Sequence, residues 1–204
     1  MKQSIPFKFF LYVSFMFLTG CASLTPWLAT PRVHFKDTRR AFETDIPLGW
    51  MRNTYTREFL ITHDGVALNA ITVERRGVEK DLESTKKKFD KDMLPQDLAE
   101  VEMDNIRSGQ GVGQFRLLKN SPAELDGIQS FVIEYTYQTE IGLTIHGIHY
   151  GCLKGNWVYR VRYEAPEQHY FKIYENDFKK FVAGLRWIEK DPKNSGPSKS
   201  NLKI

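Results

Sequence analysis

Hydrophobic and polar positions alternate strictly in the second half of the chain. Phe131, Ile133, Tyr135 and Tyr137 alternate with Val132, Glu134, Thr136 and Gln138, and Trp157, Tyr159, Val161 and Tyr163 alternate with Val158, Arg160, Arg162 and Glu164. Phe115 and Leu117 alternate in the same way with Gln114 and Arg116. A period of two sends successive side chains to opposite faces of a strand, so each stretch reads as a strand with one face on a core and the other more polar. Between them the apolar positions run Ile141, Leu143, Ile145 and then Ile148, Tyr150, Cys152. That one-residue shift at Gly147 predicts a β-bulge, which would put His146 and His149 together on the polar side. The expected topology is an antiparallel meander.

Upstream, residues 41–50 read as a short strand, a turn and the large aromatic Trp50. Phe59–Thr62 and Val66–Arg75 flank His63-Asp64-Gly65, the signal of a tight hairpin. The period then changes. Leu82, Thr85, Phe89 and Met93 recur at three or four among charged residues, predicting an amphipathic helix over 81–94. Pro95 stops it and opens a second helix with Leu98, Val101 and Ile106 on one side, ended by Ser108-Gly109-Gln110-Gly111. Near the end, Pro166 and Glu167 suit a helix start, and Tyr170, Tyr174, Phe178, Phe181, Val182 and Leu185 keep helical spacing up to Trp187. Hairpin, helices, meander and helix make an α+β chain: an antiparallel β-sheet flanked by helices, in a single domain.

The ends differ from this body. Residues 1–8 carry positive charge and residues 9–17 are continuously apolar, an n-region and h-region too short to span a bilayer as a helix. These first 20 residues hold two lysines and no acid, so the net charge of +4 leaves +2 on the rest. With 26% charged residues overall, +2 is too little for the clustered basic face of a nucleic-acid-binding protein. Residues 22–34 contain Pro26 and Pro31 and read as a tether, and residues 190–204 are polar, rich in Lys, Ser and Pro, and expected to be disordered. The expected division is a signal peptide 1–20, a tether 21–34, a folded domain 35–189 and a tail 190–204.

Leu18-Thr19-Gly20-Cys21 resembles the lipobox of bacterial lipoprotein precursors. The resemblance implies cleavage before Cys21, palmitate-type acylation of that residue and attachment to a membrane. Ala22, where an aspartate tends to retain such proteins in the inner membrane, implies the outer membrane, facing the periplasm. A lipidated Cys21 has no thiol left for a disulfide, so Cys152 is expected to be a lone core thiol, with a nucleophilic role as the alternative. The run IPLGW at 46–50 and the closing WVYRVRYEAPEQHYFKIYENDFKKFVAGLRW at 157–187 resemble the PsbP-like superfamily, including DcrB-like proteins. That implies an α/β/α sandwich used for docking to membrane complexes, with no shared catalytic residues.

Candidate chemistry is sparse. Gly109–Gly113 lacks the Lys-Ser/Thr of a phosphate loop and reads as a connector, and Ser84-Thr85-Lys86-Lys87 lacks the companions of penicillin-recognising enzymes. The hydrolase elbow, zinc-protease and Cys-x-x-Cys patterns are missing. One constellation stands out: His146 and His149 with Glu134, Thr136, Gln138 and Glu140 before them and Arg160 and Arg162 after. It reads as cross-strand pairing or a partner contact, with a metal site on the two histidines as the alternative. The expected function is a non-enzymatic lipoprotein without cofactor, docking to a protein partner or envelope component. The alternative is a small-ligand or metal-binding module using the face around His146 and His149.

Overall fold

The computed structural model describes residues 26–30 and 34–188. The lipobox with Cys21, most of the expected tether and the tail 190–204 lie outside the described residues. The strands are β1 (Trp27–Ala29), β2 (His34–Asp37), β3 (Phe42–Asp45), β4 (Met51–Asn53), β5 (Phe59–Thr62), β6 (Ala70–Gly77), β7 (Gly113–Leu125), β8 (Ile128–Gln138), β9 (Thr144–Lys154), β10 (Trp157–Pro166) and β11 (Arg186–Trp187). The helices are α1 (Pro95–Arg107) and α2 (Tyr170–Gly184). Eight strands form one sheet in the order β1-β4-β5-β6-β10-β9-β8-β7, and β11-β3-β2 form a second. Every pairing is antiparallel. The result is one sheet-dominated α+β domain with a helix on each face of the large sheet.

The long hairpins form where backbone chemistry allows tight turns. Asp126 and Gly127 sit at φ 48° and 77° between the paired Leu125 and Ile128, the two left-handed positions of a type I′ turn. The Asp64-Gly65 pair, where a tight hairpin is expected, instead lies in a wider loop over 63–69. There Asn69 is fully buried and its Oδ1 accepts from the backbone of His63 at 2.6 Å. Its side chain organises the turn, so the strands still pair, Ile61 opposite Ile71.

Three further expectations are corrected. Residues 81–94 form no helix: the backbone turns at Lys86, φ 58°, and runs on as an irregular strap. Only Leu82 and Phe89 are buried along it, too few anchors for a helical stripe but enough to pin a strap to the core. β9 carries no bulge, since its register is unbroken on both sides from Gln138↔Thr144 to Ser130↔Cys152 and from Pro166↔Ile145 to Trp157↔Lys154. Gly147 is there because the Tyr135 ring lies over it; a Cβ would come within 2.5 Å of Tyr135 Cζ, and Gly151 stands in the same relation to Phe131. Pro166 ends β10 instead of starting a helix, and α2 begins at Tyr170. The stretch expected as tether also contains β1, whose Trp27 pairs with Asn53 at the sheet edge.

The core divides between the two faces. Toward α2, Tyr159, Val161 and Tyr163 of β10 and Ile148 and Cys152 of β9 meet Phe171, Phe178 and Phe181, with Trp50 and Phe42 beside them. Tyr163 stacks on Phe171 and Phe178 at 5.3 and 5.4 Å, and its hydroxyl donates to the Phe171 carbonyl at 2.9 Å. Toward α1, Leu98, Ala99 and Ile106 pack with the strap residues Leu82 and Phe89 on Phe131, Ile133, Tyr135 and Val158. Each large buried side chain contributes about 1.5–3 kcal/mol relative to exposure, so both helices are held firmly.

Candidate functional site

Alternation along β10 sends Arg160, Arg162 and Glu164 to the α1 face. Opposite Arg162 lies His149 on β9, and opposite Arg160 lies Glu74 on β6. The hydrophobic packing under α1 stops short of these residues. In its place is an open cleft of about 1000 Å³, floored by the sheet, walled by α1 and the strap, and closed on the far side by the segment around Arg39 and Arg57.

The fixed point of the cleft is Arg160. Its Nε donates to Glu102 of α1 at 2.6 Å and its Nη1 to Glu74 at 2.8 Å, while the guanidinium lies 5.6 Å from the centre of the Phe89 ring. Glu74 is also bound by Arg76 Nε at 3.2 Å, and Arg76 reaches Glu83 on the strap. Burial pushes the Glu102 carboxyl above the ordinary range despite Arg160. Burial acts in the same sense on Glu74, but Arg160 and Arg76 together outweigh it and hold that carboxyl below its usual value. Ser84 donates its backbone N–H to Asn105 at 3.0 Å, tying the strap to α1 above this network.

Beside this satisfied network are groups without protein partners. The Arg162 guanidinium makes no hydrogen bond or ion pair among the described residues; burial opposes its charge, and Glu164, Tyr135, Glu58 and Glu102 hold it protonated. Neither ring nitrogen of the buried His149 is bonded, and burial, with Arg162 and Arg160, keeps its imidazole neutral. Arg160 Nη2 and Arg75 Nε are likewise buried without a partner. Such an arrangement can hold a ligand's charge and hydrogen bonds.

The constellation expected on one polar face is split by the sheet. His149, Arg160 and Arg162 line the cleft, whereas His146, Glu134 and Thr136 lie on the α2 side. His146 stacks on Phe171 at 3.6 Å and bonds Glu134 through Nε2 at 2.8 Å. The two histidines therefore cannot share a metal, and among the described residues no group of three or more His, Cys, Asp or Glu is placed to hold one. Cys152 is buried on the α2 side, where burial pushes its thiol up to about 12. Glu102 was not among the expected site residues, although its signal was present: Leu98, Glu102 and Ile106 are spaced by four on the buried stripe of α1.

No family model matches the chain, and no curated protein matches it. Solved structures do. The cyanobacterial PsbP (CyanoP) of Synechocystis sp. PCC 6803 is 14% identical with a TM-score of 0.55, over 82% of this chain and 96% of that one. A point mutant of the protein Mog1 is 10% identical with a TM-score of 0.51, over 78% and 97%. The Ran-binding protein Mog1p of Saccharomyces cerevisiae is 11% identical with a TM-score of 0.48, over 73% and 91%. The fold is thus PsbP-like. No helix among the described residues is long and apolar enough to cross a membrane.

Proposed function

We propose that the chain is a lipid-anchored envelope protein of non-enzymatic type whose PsbP-like domain binds a small ligand in the cleft beneath α1. The cleft carries this reading: about 1000 Å³ of open space is lined by Arg162, by His149 and by Arg160, and among the described residues both His149 ring nitrogens and Arg160 Nη2 are buried without a hydrogen-bond partner. A buried polar group left unsatisfied costs about 1–3 kcal/mol, which a bound ligand would recover. The non-enzymatic part rests on the PsbP-like fold and on the position of the buried Cys152 thiol, which belongs to the face opposite the cleft. Native mass spectrometry of the protein purified in mild detergent tests the site. A small molecule should accompany the wild type and be lost when Ser84→Trp fills the cleft from its rim; an identical spectrum for both would refute it.

The anchor rests on Leu18-Thr19-Gly20-Cys21, and Ala22 favours the outer membrane with the domain in the periplasm. Acyl chains supply membrane affinity at about 0.8 kcal/mol per buried methylene, leaving the domain free for binding. Cys21→Ser should abolish acyl labelling and maturation; labelled, processed protein from that variant would end the lipoprotein reading.

Docking to a protein partner is the second reading, favoured by β7. Among the described residues it is the outer strand of the large sheet, with Leu117 and Leu118 40% and 47% exposed. An unpaired edge of this kind can accept a partner's strand. Cross-linking in envelope membranes that Leu117→Lys and Leu118→Lys abolish would support it.

A further inference from the structure

The charge inventory of the cleft narrows what it binds. Every lining carboxylate but Glu58 has a partner: Glu74 and Glu102 with Arg160, Glu83 with Arg76, Asp81 with Lys88, and Glu164 with the Tyr135 hydroxyl. The lining cations are in surplus. Among the described residues the side chains of Arg39, Arg57, Lys80 and Arg162 have no carboxylate partner, and Arg75 lies 3.8 Å over the Trp157 ring with Nε unpartnered.

At the floor the same bias appears in buried groups. Arg160 is 5% exposed and His149 1% exposed, both line the cleft, and among the described residues Arg160 Nη2 and both His149 ring nitrogens have no hydrogen-bond partner. Arg162 sits directly opposite His149 in the register, so its unpaired fork lies at the same level of the floor. A guanidinium fork matches the two oxygens of a carboxylate or phosphate, and neutral imidazole adds one N–H donor. Glu58, the unpaired carboxylate, is held above its ordinary range by burial and so opposes an anion less than a free glutamate would.

We propose that the cleft recognises a small molecule through an oxyanion group, phosphate or carboxylate, seated on the Arg162 fork with Arg160 Nη2 and His149 as further partners. The unpaired cations at the rim draw the anion in. This inference rests on the binding reading above and adds the chemical class of the ligand.

Inorganic phosphate is the probe, titrated at constant ionic strength into the protein in neutral detergent while the arginine Nε–H signals are followed by NMR. The signals of Arg160 and Arg162 should shift saturably and that of Arg186 should not, and Arg162→Gln should weaken phosphate at least tenfold. A smaller loss, or no saturable shift in the wild type, overturns the proposal. Should Arg162→Gln fail to fold, Arg162→Lys keeps the charge without the fork, and an affinity equal to that of the wild type overturns the proposal in the same way. Competition by glycerol 3-phosphate assigns a soluble ligand, and competition by phosphatidylglycerol vesicles alone assigns a lipid headgroup. A molecule without an oxyanion, recovered from the wild type and lost with Ser84→Trp, would leave the binding reading standing and overturn this inference alone.

Discussion

Toward α2, β10 presents Tyr159, Val161 and Tyr163; toward α1, the alternate positions are Arg160, Arg162 and Glu164. One strand thus faces two solvents. On the α2 side the interior is filled with aromatic rings whose few polar atoms are bonded, as when the Tyr163 hydroxyl meets the Phe171 carbonyl. On the α1 side only the half around Leu98, Phe131 and Val158 is filled, and the other half is a cleft of ion pairs and unpartnered nitrogen. The contrast teaches where stability and binding reside. A side chain on the filled face is worth its burial, whereas a charge on the open face costs desolvation that only a partner or a ligand offsets.

The largest effect should come from emptying the filled face. Phe178→Ala removes a fully buried ring that stacks on Tyr163, and should cost about 3–5 kcal/mol in urea unfolding. Next, Gly147→Ala forces a Cβ into the Tyr135 ring, which must shift and give up the hydroxyl's 2.7 Å bond to Glu164. A loss of about 1–3 kcal/mol is expected. A neutral result would mean that β9 can bulge at Gly147 after all.

Glu102→Gln sharpens the comparison through pH. Because burial raises the Glu102 carboxyl, the folded chain keeps that proton to higher pH than the unfolded chain. Its stabilising contribution is full below the ordinary carboxylate value and is lost as pH rises through the folded value. The stability of wild type relative to Glu102→Gln, whose amide oxygen can still accept from Arg160 but does not titrate, should therefore fall between pH 4.5 and pH 8. An advantage that grows with pH would show that Arg160 outweighs burial. The smallest effect belongs to the exposed helix surface: Lys179→Ala, which removes a 2.6 Å pair with Glu175, should change unfolding by no more than about 0.5 kcal/mol.

The filled face was legible in the sequence and the open face was not. The period of two marks β8 and β10 as strands, and the spacing of Tyr170, Tyr174, Phe178 and Phe181 marks α2, because burial of apolar groups writes its period directly into sequence. The period does not tell that the apolar side of β8 faces α1 while that of β10 faces α2, which is why Glu134 and Thr136 part from Arg160 and Arg162. A bulge at Gly147 would bring His146 and His149 to one side; the glycine instead marks the passage of Tyr135 over an unbroken strand, a contact between residues distant in sequence. The strap failed for a related reason: Leu82 and Phe89 recur at helical multiples, but their burial is decided by α1 above them and β8 and β10 below. Glu102 stands at buried spacing between Leu98 and Ile106, but the reason for a carboxylate there is apparent only when Arg160, 58 positions away, is brought beneath it.

The central claim is that the polar network of the open face serves binding and contributes little to the fold. The double variant Glu102→Leu with Arg160→Met tests it most directly, since apolar groups of similar size replace both partners of a buried pair and leave Glu74 bound to Arg76. Urea unfolding should stay within about 1 kcal/mol of wild type, or improve, while the small molecule seen by native mass spectrometry disappears. A loss of several kcal/mol, on the scale of Phe178→Ala, or a molecule still bound to the folded variant, would contradict it.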